Sequence, residues 1–423
     1  MKIIILLITF LSNITNNEGI NLNIASHLKY LKSYLYLCNI IMSIEICLTL
    51  LTNKRFFRIF AKDIYDIYTD MPIGIDIFSG AGGLSLGAEM AGFQVRFAVE
   101  KDKSAAATYR HNHPNTLVLE DDIHNINPLE HLHAGEHVKI VFGGPPCQGF
   151  SLSNTMSRNM ENPNNSLFEE FLRFVAEIQP DWFLFENVEG FAHFEKGRIQ
   201  HLVEQRFRDM GYLVFPKVLW ASDYGVPQHR NRFFMVGNRL DINFEYPKSF
   251  GTKITVNDAI GDLPELINGQ QIETLSYKLP SNKASKYARL MRKGSKRSRQ
   301  NYVSRNADYV IERYRYIAQG QNWEAIPDEL MQNYANKANC HSGIYRRLRA
   351  DEPSVVISNY RKNMLIHPSQ DRGLSVREAA RIQSFPDKFV FKGSLMHIQQ
   401  QIGNAVPPLL AKAVFDKILE YGG

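Results

Sequence analysis

From Ile73 onward the chain repeats one pattern: a short apolar run, a turn rich in glycine or acid, then apolar residues at helical spacing. The apolar runs are Ile73–Phe78, Val95–Val99, Thr116–Leu119, Lys139–Phe142 and Trp182–Phe185. Between them, Leu84–Ala91, Asp102–His111 and Ser166–Ile178 read as helices, the last with Leu167, Phe168, Phe171, Leu172, Val175 and Ile178 on its apolar side. Short apolar runs without polar alternation suit strands covered on both faces. Strands alternating with helices require crossovers, and crossovers join parallel neighbours. The expectation is an α/β fold, a doubly wound, mostly parallel sheet. Ligands of such sheets lie beyond the carboxyl ends of the strands, so the residues there are the candidates for function.

The first such end is Asp76-Ile77-Phe78-Ser79-Gly80-Ala81-Gly82-Gly83. Glycine permits a tight turn and close approach of a ligand to the backbone. The spacing is not the dinucleotide G-x-G-x-x-G, because Ser85 occupies the third glycine position. Glu100 ends the second strand, where a carboxylate can accept from both ribose hydroxyls. Asp122, after the third strand, can accept from an adenine amino group. Either acid alone would more often be a helix N-cap. At successive strand ends they describe a nucleoside without a pyrophosphate.

The fourth strand leads into Gly144-Pro145-Pro146-Cys147-Gln148-Gly149-Phe150-Ser151. The chain has four cysteines, Cys38, Cys47, Cys147 and Cys340, with no C-x-x-C pair and no zinc spacing, which speaks against a disulfide framework or a structural metal. A lone cysteine is usually a buried small residue. Cys147 instead sits on a loop stiffened by two prolines, exposed to the cleft. Glu186-Asn187-Val188 follows the fifth strand, and a glutamate at the rim of an apolar site can hold a proton near neutral pH. In Gln228-His229-Arg230-Asn231-Arg232, ahead of the strand Phe233–Val236, alternation points both arginines to one side.

The ordered set FSGAGG, PPCQGFS, ENVEG and QHRNR, then Arg377-Glu378-Ala379-Ala380-Arg381 and Gln401-Ile402-Gly403-Asn404-Ala405-Val406-Pro407-Pro408, resembles the DNA (cytosine-5) methyltransferases of bacterial restriction-modification type. The match runs from Met71 to Tyr421. The resemblance implies S-adenosylmethionine as methyl donor, in a pocket lined by Phe78, Gly80, Gly82, Glu100, Asp122, Ile123, Pro145, Leu167 and Asn404, and no metal. Asn404 reaches that pocket only if the final helix, about Pro408–Tyr421, folds back beside the first strand. By the same likeness Cys147 adds to C6 of cytosine, Glu186 holds the proton at N3, Arg232 lies near O2, and Arg230 supports it electrostatically. A base inside a duplex cannot meet a thiolate, so the cytosine must flip out. Gln148–Met160 suits a loop closing over it, with Gln148 and Ser151 touching DNA.

Between Val236 and Arg377 the α/β rhythm stops. The resemblance divides the chain into a catalytic domain (71–240), an inserted smaller target-recognition domain (241–372) and a C-terminal segment completing the catalytic domain (373–423). Residues 281–316 hold eleven basic side chains against Asp308 and Glu312, interleaved with tyrosines. A charge run is usually a solvated face, and a net charge of +6 says little by itself. Concentration in one insertion favours phosphate contact. Arg292, Lys293, Arg297, Arg346 and Arg361 are the candidate DNA contacts. The partners implied are double-stranded DNA and a paired restriction endonuclease, for a cytoplasmic monomer without membrane contact. An RNA cytosine methyltransferase and an inactive DNA-binding regulator are the alternatives. The long basic insertion argues against the first, and intact Cys147, Glu186, Arg230 and Arg232 against the second.

Residues 1–70 differ from the rest, with no proline and a single glycine, Gly19. Lys2 and Ile3–Leu11 resemble the start of a signal peptide, but no A-x-A site follows, and the apolar run is too short to span a bilayer. An extra helical segment is a further possibility. The favoured reading is translated upstream sequence that is not part of the working enzyme, since the organised pattern starts directly after Met71.

Overall fold

A computed structural model describes residues 71–146, 167–332, 343–358, 360–361 and 364–422. The expectations for 1–70, and for Cys147, Gln148 and Ser151 on the loop to Met160, lie outside the described residues. The chain groups into two units, Met1–Pro72 with Gly92–Gln94, and Ile73–Ala91 with Val95–Gly423; the architecture below is that of the second.

Seven strands form one sheet in the order β3-β2-β1-β4-β5-β7-β6. They are β1 (Ile73–Ile77), β2 (Gln94–Val99), β3 (Leu117–Leu119), β4 (Val138–Gly143), β5 (Trp182–Asn187), β6 (Leu213–Trp220) and β7 (Asn231–Asn238). β1 and β4, β2 and β3, and β4 and β5 pair in parallel, whereas β7 runs antiparallel to both β5 and β6. Five of these strands are the predicted apolar runs, and β7 contains the sixth. β6 escaped the sequence reading. It is an edge strand with Pro216 and Lys217 at its middle and exposed Leu213 and Trp220 at its ends. Proline is tolerated where no further strand pairs, but it breaks the apolar pattern.

The chain leaves β1 outward to β2 and β3, then returns to β4 on the other side of β1. That reversal is the switch point at which such sheets open a crevice. The carboxyl ends of β1, β4 and β5 lie on one edge because these strands are parallel. Helices α1 (Gly83–Ala91), α2 (Lys103–Asn112), α3 (Leu167–Ile178) and α4 (Arg198–Asp209) follow β1, β2, β4 and β5. Asp102 caps α2 by accepting from Ala105 N at 2.8 Å. Phe171 of α3 and Phe207 of α4 pack on Phe183 of β5, the last pair stacked with centroids 3.8 Å apart.

The insertion contains α5 (Val256–Ile260), the antiparallel hairpin β8 (Gln271–Leu275) and β9 (Ser298–Tyr302), α6 (Lys286–Met291) and α7 (Asp308–Arg315). After it come α8 (Val376–Ile382), α9 (Leu395–Asn404) and α10 (Pro408–Gly422). One apolar core joins Val256, Ala259, Tyr287 and Leu348 to Ala379, Phe385 and Ile402, and reaches Ala81 and Leu86 of the first crossover. The final helix does fold back, against α1. A Cβ on Gly87 would stand 2.4 Å from Ala411 Cβ, an approach that only glycine allows. Phe415 of the same helix meets Phe142 of β4 edge-on at 4.9 Å.

Several arginines in or just before the C-terminal segment are buried. Arg381 is clamped by Asp387 and Asp262, with contacts of 2.7 and 2.6 Å. Arg377 donates to the carbonyls of Arg299, Pro386 and Phe389. Arg372 forms a two-pronged pair with Glu378, at 2.8 and 2.7 Å. Burial works against the Glu378 charge, yet the Arg372 guanidinium and its hydrogen bonds hold this carboxyl down to about 2. Buried charges of this kind persist only when paired or held by several hydrogen bonds.

Candidate active site

The crevice has two halves. At the first, β1 turns sharply. Phe78 adopts φ +60° and Gly80 φ +56°; for the phenylalanine this left-handed conformation is strained. Ser79 N donates to Val99 O at 3.1 Å, tying the turn to β2. Glu100, just after β2, accepts from Gly80 N and Asp102 N, each at 2.7 Å. Both carboxylate oxygens are thereby fixed while retaining lone pairs for a ligand. Burial pushes the Glu100 carboxyl up, against these backbone bonds. A Cβ on Gly80 would meet nothing within 4 Å, so the space beside it is open. Asp76 Oδ1 and Ser79 Oγ are buried without a hydrogen-bond partner among the described residues. Open space, an oriented carboxylate and orphaned polar atoms fit a polar nucleoside-like ligand.

The two glycines of this turn differ. Gly82 has φ +91°, and a Cβ on it would strike His113 Nε2 at 2.4 Å. Its missing side chain makes room for a core histidine rather than for a ligand. Asp122 caps the turn Ile123–Asn125, accepting from His124 N at 3.2 Å, and pairs with Lys101 at 2.6 Å. Those bonds hold its carboxyl well below the usual range. It is still half-exposed at the strand end. Ile123 is buried, and its carbonyl receives Arg173 at 3.0 Å. Leu167 is half-buried against the main core. Pro145 is buried, its carbonyl accepting from Asn187 at 3.3 Å. Asn404 ends α9 and is exposed.

The second half is built by β4, β5 and β7. Glu186 faces Phe234 across the β5–β7 ladder. Arg232 lies two residues before Phe234 on the same face, a diagonal that long side chains can span. Arg232 Nε meets Glu186 Oε1 at 2.8 Å, and both side chains are buried. Burial raises the Glu186 carboxyl to about 7, and Arg232 only partly opposes it. Gly144 completes the arrangement. A Cβ there would stand 2.4 Å from Glu186 Oε2, so the glycine holds the space that the carboxylate occupies. Gly144→Ala is expected to displace Glu186 and lower kcat by about tenfold or more, with little change in unfolding temperature. Steady-state kinetics beside thermal unfolding checks this.

Arg230 does not join that pair. β7 begins at Asn231, so the strand alternation expected to align Arg230 with Arg232 does not extend back to it. Its guanidinium donates to Ile357 O at 2.9 Å and Gly403 O at 2.7 Å. Gln228, which the sequence reading took only as part of a motif, is fully buried beside it.

The basic insertion divides as well. Lys293, Arg297 and Arg361 are exposed, and Arg346 is half-exposed. Arg292 is turned inward instead: it pairs with Asp262 at 3.2 Å, donates to Leu279 O at 3.0 Å and stacks 3.7 Å over Tyr277. Committed to these partners, it is not available to a phosphate. Arg313 and Arg347 of the same basic clusters are also buried, bonded to main-chain carbonyls. Among the described residues no cluster of His, Cys, Asp or Glu has metal-binding geometry, and no helix is long and apolar enough to cross a membrane.

The doubly wound sheet with an antiparallel β7, and an acid–arginine pair beside a nucleoside-shaped turn, defines an α/β methyltransferase. The chain belongs to the C-5 cytosine-specific DNA methylase family, which it matches over residues 73–420, and it is a DNA (cytosine-5)-methyltransferase. It is 37% identical over 371 residues to the Type II methyltransferase M.DdeI of Desulfomicrobium norvegicum, covering 82% of this chain and 88% of that one. It is 35% identical over 355 residues to the Type II methyltransferase M.MthTI of Methanothermobacter thermautotrophicus, covering 81% and 95%. Among solved structures, a protein described as a DNA modification methyltransferase encoded within an Escherichia coli prophage superposes with a TM-score of 0.65. That protein shares 28% identity and covers 83% of this chain and 99% of its own.

Proposed function

We propose that this enzyme methylates C5 of a flipped-out cytosine in a specific duplex DNA site, with S-adenosylmethionine as donor and Cys147 as nucleophile. The observation that carries the reading is the buried Glu186–Arg232 pair at 2.8 Å, set against Gly144 at the start of the Cys147 loop. When bound, S-adenosylmethionine supplies a methyl group made electrophilic by its sulfonium. Glu100 accepts from its ribose hydroxyls, and Asp122 from its adenine amino group. Phe78, Gly80, Ile123, Pro145, Leu167 and Asn404 form the rest of the pocket, whereas Gly82, expected there from the resemblance, serves the core beside His113.

C5 of cytosine is a poor nucleophile. The Cys147 thiolate forms a bond to C6, and the displaced ring electrons draw a proton onto N3 from Glu186. C5 is then enamine-like and can accept the methyl group. Solvent water takes the C5 proton, the released electrons re-form the C5–C6 double bond and expel Cys147 as a thiolate, and the N3 proton returns to Glu186, which restores the ring. Arg232 stabilises the negative charge that builds near O2. A carboxyl raised to about 7 can give up its proton at neutral pH, as an ordinary glutamic acid cannot. Flipping costs a few kcal/mol of stacking and pairing, and Gln148 and Ser151 serve as contacts to the DNA.

The segment 241–372 reads the site, with Lys293, Arg297, Arg346 and Arg361 as contacts. The enzyme acts as a cytoplasmic monomer and protects DNA from a paired restriction endonuclease. Transfer of a tritiated methyl group to duplex DNA but not to RNA, followed by base-resolution sequencing of the product, tests the activity and gives the site. Label in RNA alone would sink this reading. DNA affinity should fall about 10³-fold or more between about 50 and 200 mM salt if about six phosphates are neutralised. A titration by fluorescence anisotropy measures it, and a flat salt response would remove the basic segment from the interface.

A further inference from the structure

Arg230 is a buried cation with no carboxylate against it among the described residues, held by two main-chain carbonyls from distant parts of the chain. A buried charge is costly, and a neutral donor could serve one carbonyl more cheaply. What arginine adds is a rigid planar fork that reaches two acceptors at once. Ile357 belongs to the segment that carries exposed Val356, Ser358 and Arg361, and Gly403 precedes Asn404.

The same segment is stitched to the approach to β7. His229 N donates to Ser354 O at 2.8 Å, and Ser354 N to Pro227 O at 2.9 Å. Beyond Ser354 the backbone ladder ends and side chains take over. Gln228 Oε1 accepts from Ile357 N at 2.8 Å, while its amide nitrogen donates to Gln383 Oε1 at 2.9 Å. Gln383 in turn donates to Ile402 O at 2.6 Å. At the far side a Cβ on Gly403 would stand 1.8 Å from Ser358 O. Three segments, 227–230, 354–358 and 402–404, thus meet at one point, two residues from the Glu186–Arg232 pair.

We propose that Arg230 is a positioning residue: with Gln228 it clamps the recognition segment 354–358 and the Asn404 end of α9 to the catalytic strand, so that site recognition and base placement share one rigid joint. The proposal rests on the reading that this segment faces DNA. Arg230→Lys keeps the charge but can reach only one carbonyl. Gly403→Ala leaves Arg230 intact and pushes Ser358 away. Either change loosens the same joint, so both should give the same phenotype.

Wild-type, Arg230→Lys and Gly403→Ala enzymes are each used to methylate unmodified genomic DNA, and the products are sequenced at base resolution. DNA KM, kcat, the pH–rate profile and thermal unfolding are measured alongside. Both variants should lose about tenfold in discrimination against sites with one altered base pair, with KM for DNA rising more than kcat falls and the pH profile unmoved. Retained discrimination with a lower kcat and a displaced pH profile would return Arg230 to an electrostatic role at Glu186. Retained discrimination with only a lower unfolding temperature would make it a structural tie. A wild-type enzyme that methylates no defined site would overturn the proposed function instead, and leave the clamp without its purpose.

Discussion

The Cys147→Ser enzyme is expected to bind duplex DNA with nearly wild-type affinity while transferring methyl groups more than about 10³-fold more slowly, a loss of about 4 kcal/mol of transition-state stabilisation. In the proposed mechanism the thiolate is the nucleophile, and a free cysteine titrates at about 8.5, within reach of neutral pH. A serine hydroxyl is not ionised there. The substitution removes one heavy-atom identity and almost no volume, so binding contacts survive. Transfer of label from the tritiated donor, beside a gel-shift titration, separates the two effects. Turnover within about tenfold of wild type would remove Cys147 from the chemistry. Loss of DNA binding together with activity would indicate that the loop, rather than the nucleophile, had been damaged.

Glu186→Gln should make the protein more stable while it becomes inactive. The Glu186 carboxyl sits at about 7 in the fold against an ordinary 4.5, and burial is the main cause. In the unfolded chain it ionises freely from about pH 4.5; in the native state it resists until about 7. Folding is therefore penalised progressively as pH rises through that interval, and the penalty is complete above it. At pH 8 it amounts to about 3 kcal/mol; below the unfolded value it vanishes. Glutamine has the shape of the neutral acid and never ionises, so the variant escapes the penalty. Its unfolding temperature should exceed that of wild type at pH 8, and the two should converge near pH 4.5. The same replacement removes the proposed proton donor for N3, and kcat should fall by about 10²–10⁴-fold. A variant no more stable at pH 8 than at pH 4.5, relative to wild type, would show that the carboxylate is not desolvated. In that case the raised value would have to be abandoned as the reason it can act as an acid.

The strands that carry the site were legible because they are buried on both faces. Ile73–Ile77 and Trp182–Asn187 are nearly continuous apolar runs, and their shortness between turn residues selects strand over buried helix. β6 was not legible, since an exposed edge relieves it of any pattern. The pairing of Glu186 with Arg232 could be guessed from likeness alone. Its geometry follows from the antiparallel register of β5 and β7, which no local pattern encodes.

Charge was the least readable feature. Arg292, Arg347, Arg377 and Arg381 look like any other basic residues in a basic chain, and only the fold reveals which of them face inward. Their partners, such as Asp262 for Arg381 and Tyr314 for Arg347, lie tens of residues away or more. Pairing across such separations depends on packing rather than on spacing. Arg230 shows the same divide. Its neighbours in sequence suggested a partner for Arg232, yet Ile357 and Gly403 claim it through contacts 127 and 173 residues distant.

By itself, then, the sequence determined the buried strands of the sheet, its ligand-bearing edge and the kinds of residue placed there, because apolar periodicity and turn chemistry are local. Only the tertiary structure decided which charges face solvent, which glycine opens a pocket and which merely admits a histidine, and which arginine meets Glu186. Those are questions of what lies on the other side of a contact, and the chain supplies that side from far away.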